Sequence, residues 1–137
     1  IDLIKVGINL RNQFSLIFQD IVLDKVLIEN QISPLANRMK TVQGMITQYF
    51  IMKGIEDIVN VSSINKLKYF LEEKKTTYDE RKKMSVSVTK KIVSNHFKEI
   101  DIDNLNSKKK DDLSDCLLQG LYYLIENKLI SNVYCEI

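Results

Sequence analysis

One proline, four glycines and a single histidine in 137 residues leave little material for a loop-rich or repetitive chain. The 45% hydrophobic and 28% charged content instead suits one globular domain, and disorder, collagen and mucin-like stalks are excluded. Two cysteines, Cys116 and Cys135, do not make a disulfide framework. No apolar run approaches the roughly 20 residues of a membrane span, and no charged-then-apolar leader opens the chain. A soluble, reduced, intracellular protein is expected. A domain of this size buries roughly two thirds of its unfolded surface, so neither disulfide nor structural metal is needed for a core.

The missing features also remove reaction classes. The glycines are isolated, so there is no phosphate-cradling loop. Zinc-type spacing does not occur. No serine or cysteine nucleophile has a visible partner, and His96, near a helix end, reads as a surface or partly buried residue rather than a base. Cys116 falls on an apolar stripe and is expected to be a small core residue.

The charge that is present is uneven. Lys66 to Lys110 carry thirteen Lys/Arg against seven Asp/Glu, and the remainder seven against eleven. Clusters such as Arg81-Lys82-Lys83, Lys90-Lys91 and Lys108-Lys109-Lys110 suit a phosphate backbone, and equally a solvated helical face.

Hydrophobic periodicity predicts the following elements. Apolar residues at Ile4, Val6, Ile8 and Leu10 alternate as in a strand, and Phe14, Ile17, Phe18 and Ile21 follow at helical spacing. Val26-Leu27-Ile28 reads as a core strand closed by Glu29-Asn30-Gln31. Pro34 breaks the chain, and Asn37 caps a helix from about Arg38 to Lys53 that stops at Gly54. Ile55 to Ser63 forms a further strand. This β-α-β-α-β order implies helices on a largely parallel sheet. A short helix or turn over Ile64 to Leu71 and the polar stretch Glu72 to Asp79 precede a helix from about Glu80 to Phe97. A polar loop over residues 101–107 leads to the last helix, Lys110 to Lys128, with Leu113, Cys116 and Leu117 turned into the core. Because Ile1 opens on what reads as mid-strand, a preceding strand is expected upstream.

Two places hold carboxylates worth attention. Glu29 ends a buried strand, where open α/β sheets place ligands; an ion-paired or capping glutamate explains it equally well. Asp111, Asp112 and Asp115 open the last helix. The macrodipole accounts for the first two. Asp115 lies further in and shares a face with Asp112. A divalent cation shared by Glu29, Asp112 and Asp115 would explain it, and all-oxygen ligands favour Mg²⁺ or Mn²⁺.

IENQ (28–31), RMKTVQGMITQYF (38–50), SINKLKYF (63–70), YDERKK (78–83) and KKKDDLSD (108–115), taken in order, resemble the poxvirus-type Holliday junction resolvases of large DNA viruses, RuvC-like members of the RNase H superfamily. The likeness runs from about Ile4 to Leu129. It implies an RNase H-like α/β fold with a mixed central sheet, and a structure-selective endonuclease that resolves four-way and other branched DNA by paired, metal-dependent cuts. By the same resemblance Glu29, Asp112 and Asp115 are catalytic metal ligands for Mg²⁺, with Mn²⁺ able to substitute. Asp111 is an acidic neighbour. Arg38, Lys40, Lys66, Arg81, Lys82 and Lys83 would contact DNA. The family's first-strand aspartate, in a D-x-G motif, has no match: Lys5 stands where it belongs, and Asp2 is a poor candidate. A chain lacking that aspartate is expected to be nearly inactive. Two coordinated cuts imply a homodimer, the helix from Arg38 to Lys53 packing between subunits or under its own sheet. A viral member would work in the host cytoplasm where viral DNA replicates. The alternative is a non-catalytic nucleic-acid-binding or structural domain of the same fold.

Overall fold

A computed structural model describes residues 1–32, 37–70 and 75–136. They form two compact units, Ile1–Val61 and Ser62–Ile137. The expected break at Pro34, and the segment from Leu71 to Lys74, lie outside the described residues.

Unit 1 opens with helix α1, Leu3–Ile17, where a strand over Ile4 to Leu10 was expected. Asp2 caps it, its Oδ1 accepting from the backbone N–H of Ile4 at 3.0 Å and Lys5 at 3.2 Å. The alternation misleads because it samples two helix faces: Leu3, Val6, Leu10 and Phe14 turn inward at spacings of three and four, while Ile4 and Ile8 are exposed. The D-x-G register tried on this segment therefore has no strand to sit on.

Strand β1, Val26–Glu29, helix α2, Asn37–Met52, and strand β2, Ile58–Val61, follow. Among the described residues the sheet has these two strands, parallel, with Val26 opposite Ile58 and Glu29 opposite Val61. The Lys25–Asp57 ion pair, 2.7 Å, ties their entry ends. Asn37 is the first residue of α2, and Gly54 ends the helix at φ 87°, where a side chain would be strained. Val26, Ile28 and Phe50 form the core, and Phe14, Phe18 and Tyr49 ring Phe50 at 5.3–5.8 Å between centroids.

Unit 2 begins with turns over residues 64–70 that bury Leu67. Helix α3, Tyr78–His96, starts two residues before the expected point because Thr77 and Glu80 close a capping box. A 3-10 turn, Ile102–Asn106, buries Leu105 and leads to helix α4, Lys110–Glu126. The core joins Leu67, Val88, Ile92, Leu118 and Leu121.

The inward face of α4 differs from expectation. Ser114, Leu118, Leu121 and Ile125 are buried, whereas Leu113 is 46% exposed and Cys116 is exposed, so neither is a core residue. The facing helix explains the rotation: α3 presents Ser85 and Thr89, fully buried, and helices meeting on small side chains approach closely enough to favour Ser114 over a leucine.

An exposed ion pair crosses this unit, Lys68 Nζ to Glu126 Oε1 at 2.6 Å. It lowers the Glu126 carboxyl and raises the Lys68 ammonium, in both cases chiefly through their mutual hydrogen bond. Glu126 therefore stabilises the fold above its ordinary value of 4.5, an effect lost as pH falls through the lower folded value. Lys68 does so below 10.5, an effect lost as pH rises through its higher folded value. Thermal melts should show Glu126→Gln slightly less stable than wild type near neutrality and equal to it in strong acid.

Candidate functional site

Each unit holds part of the predicted residue set. In unit 1, Glu29 is the last residue of β1 and its side chain is exposed at the strand's carboxyl end. What fixes this end is Gln43, a buried polar residue of α2 that the periodicity gave no reason to single out. Its Oε1 accepts from the Gln31 backbone N–H at 2.8 Å, and its Nε2 donates to Asn60 Oδ1 at 3.0 Å and Asn30 Oδ1 at 3.4 Å. One amide side chain thereby links the segment leaving β1 to β2. Lys40 Nζ adds a bond to Asn30 Oδ1, 3.1 Å, which brings one predicted DNA-contacting cation to the residue beside Glu29. Arg38 lies in the same first turn of α2, exposed. Replacing Gln43 by leucine strands the Gln31 N–H and should cost about 1–3 kcal/mol, read by urea denaturation.

In unit 2, Asp112 and Asp115 lie one turn apart on α4, but each already faces an ammonium. Lys66 Nζ reaches Asp115 Oδ1 at 2.7 Å, both side chains being half-buried, and Lys109 Nζ lies 3.4 Å from Asp112 Oδ2 at the surface. Lys66 is thus the partner that Asp115 needs so far into the helix, and a metal ion is not required to explain its position. The donor chemistry of these carboxylates is right for Mg²⁺ or Mn²⁺. The grouping is not: among the described residues no three His, Cys, Asp or Glu side chains gather as a metal site.

The other predicted cations diverge. Lys82 sits over the Tyr78 ring, 4.9 Å from its centroid, and 3.7 Å from Asp111 Oδ2. These contacts, Tyr78 first, raise its ammonium above the ordinary value. Lys83 joins it in a groove of about 560 Å³ that also takes in Lys90, Lys110, Asp79 and Asp111. Arg81 is exposed and does not line that groove. In the sequence Lys90 and Lys110 stand out only as members of charge runs. Their convergence depends on the packing of α3 against α4, which no single-helix pattern contains.

His96 ends α3 with Nε2 3.2 Å from the Glu136 carbonyl oxygen and its ring against Tyr134, a partly buried structural residue. Among the described residues no helix is long and apolar enough to cross a membrane.

No family model and no solved structure matches this chain. It is similar to an uncharacterized protein of Acanthamoeba polyphaga mimivirus, with 31% identity over 121 residues, covering 74% of this chain. The chain spans 29% of the length of that relative.

Proposed function

We propose that this chain is the RNase H-like domain of a viral structure-selective endonuclease that nicks opposed strands of four-way and other branched DNA. The observation that carries the reading is Glu29, a carboxylate at the carboxyl end of β1 in a parallel β1-α2-β2 unit, its strand end held by the buried amide of Gln43. Open α/β sheets bind ligands at that end of their strands. In this reading Glu29 in unit 1 and the Asp112 and Asp115 pair in unit 2 are the candidate carboxylates for Mg²⁺ or Mn²⁺. When bound, such an ion polarises a phosphoryl oxygen and acidifies water. The chain's own cations, among them Arg38, Lys40, Lys82 and Lys83, hold backbone phosphates and read no sequence, which suits recognition of a branched shape. Lys66 orients the Asp115 carboxylate through their 2.7 Å ion pair. A homodimer belongs to the same proposal, and the apolar cleft of about 720 Å³ between α1 and α2, beside Leu10, Met45 and Met52, is a surface suited to it.

A second reading, a nucleic-acid-binding domain without catalysis, is favoured by one observation: Asp111, Asp112 and Asp115 each have a lysine within 3.7 Å. The test uses the whole protein on an end-labelled four-way DNA junction with Mg²⁺ or Mn²⁺. Paired symmetric nicks support the nuclease. Junction binding with no cleavage in either metal, and no rise in melting temperature on adding Mg²⁺, gives the domain to the second reading.

A further inference from the structure

One face of α3, beside the start of α4, is predominantly cationic. Asp79, Lys82, Lys83, Val86, Ser87 and Lys90 recur at helical spacing and line the groove described above, with Lys110 and Asp111 closing it from the start of α4. From Asp79 to Lys90 the helix rises roughly 16 Å. The four ammoniums differ in what they face. Lys82 is balanced by Asp111. Lys90 donates to the neutral Asn106 Oδ1 at 2.7 Å, which orients its charge without cancelling it. Lys83 and Lys110 form no ion pair with any described residue. Three positive charges therefore converge against the single carboxylate of Asp79.

These features select an occupant. A compact monoanion would leave most of a groove of 560 Å³ empty. Lysines act as point charges that hold phosphate without the planar fork that reads a base or carboxylate. No aromatic side chain lines the groove, so it lacks the stacking platform that is the usual device of single-strand binders. We infer that this groove is a metal-independent track for the sugar-phosphate backbone of a nucleic-acid duplex, with Lys83, Lys90 and Lys110 as its phosphate contacts. The inference rests on the proposed function for the identity of that duplex, one arm of a branched DNA, but needs neither metal nor cleavage.

The test is binding of the whole chain to a fluorescein-labelled 30-base-pair DNA duplex in EDTA, repeated across a NaCl series. Each phosphate contact contributes about 0.9 to the slope of log K against log salt, so each is equivalent to about 8-fold in affinity at 0.1 M salt. The Lys83→Ala/Lys90→Ala/Lys110→Ala variant is expected to bind a few hundredfold more weakly, with a slope shallower by about 3. The matching Lys→Arg triple should restore both, and Lys5→Ala/Lys53→Ala/Lys98→Ala, which removes the same charge elsewhere, should bind within a few fold of wild type. Circular dichroism checks that each variant is folded.

Wild-type affinity in the groove variant, or an equal loss in the variant altered elsewhere, overturns the inference. So does polyglutamate displacing the duplex at equal charge concentration, which would assign the groove to acidic proteins. Stronger binding to a single strand than to the duplex also overturns it. Groove-dependent duplex binding without any cleavage of junctions leaves this inference standing and removes the nuclease reading. Cleavage by a groove variant that still binds like wild type does the reverse.

Discussion

Under the proposed nuclease reading, Glu29→Gln should slow metal-dependent cleavage of a four-way junction by roughly 10²–10³-fold, the usual consequence of removing one group that stabilises charge in a transition state. The melting temperature should stay within roughly 2 °C of wild type. The separation of the two effects follows from how the strand end is built. Glutamine keeps the shape of the side chain and removes its charge. The backbone beyond Glu29 is held by Gln43 through Gln31, Asn30 and Asn60, none of which depends on the Glu29 carboxylate for those bonds. Asp115→Asn is a less clean probe, because it also deprives the half-buried Lys66 of its counter-charge and should lower stability in metal-free buffer. Comparing the two variants by melting temperature in EDTA, then by cleavage in Mg²⁺, separates chemistry from folding. Undiminished cleavage by Glu29→Gln would remove the nuclease reading at its central residue.

How far the sequence reveals this protein depends on whether an element's environment lies within its own segment. The run Val26-Leu27-Ile28 is dense enough to be a strand in any context, and β1 is found there, ending at Glu29. Gly54 follows a continuous 3.6-residue pattern and takes the left-handed conformation that the pattern's end implies. Segment 4–10 satisfies two periods at once. What decides for α1 is the spacing of Leu3, Val6, Leu10, Phe14 and Phe18 behind the Asp2 cap, a run legible only when the segment is read together with the one after it. For α4 the apolar count favours a face through Leu113 and Cys116, yet the partner helix chooses Ser114. The burial of Ser114, with Ser85 and Thr89 buried on the helix it packs against, is a property of two surfaces, invisible in either alone. The candidate site divides the same way. Glu29 is marked by its position at a strand end. Gln43, a polar residue inside a helix, reads as solvent-facing until β2 brings Asn60 to it. The basic groove likewise needs α3 and α4 side by side before Lys90 and Lys110 become neighbours of Lys83.

Two substitutions one turn apart on α4 should move stability in opposite directions. Leu118 is 1% exposed and packs among Leu67, Val88, Ile92 and Leu121, so truncation to alanine removes apolar contacts and leaves a void that rigid neighbours only partly fill. A loss of about 3 kcal/mol is expected from urea denaturation. Ser114 is 0% exposed, and its hydroxyl has no hydrogen-bond partner among the described residues, as is true of Ser85 and Thr89 on the facing helix. A hydroxyl buried without a partner has lost its water bonds and gained nothing in exchange. Alanine keeps the small volume that the close packing of α3 and α4 demands and discards the desolvated group. Ser114→Ala should therefore match wild type or exceed it by up to about 1 kcal/mol. A cost above about 1 kcal/mol would show that the hydroxyl is bonded in solution, by an ordered water or by a backbone carbonyl of its own helix. The seam between α3 and α4 would then be held by polar contacts as well as by fit. Were Leu118→Ala neutral instead, α4 would have to present a different face to α3, and the groove that places Lys110 beside Lys90 would fall with it.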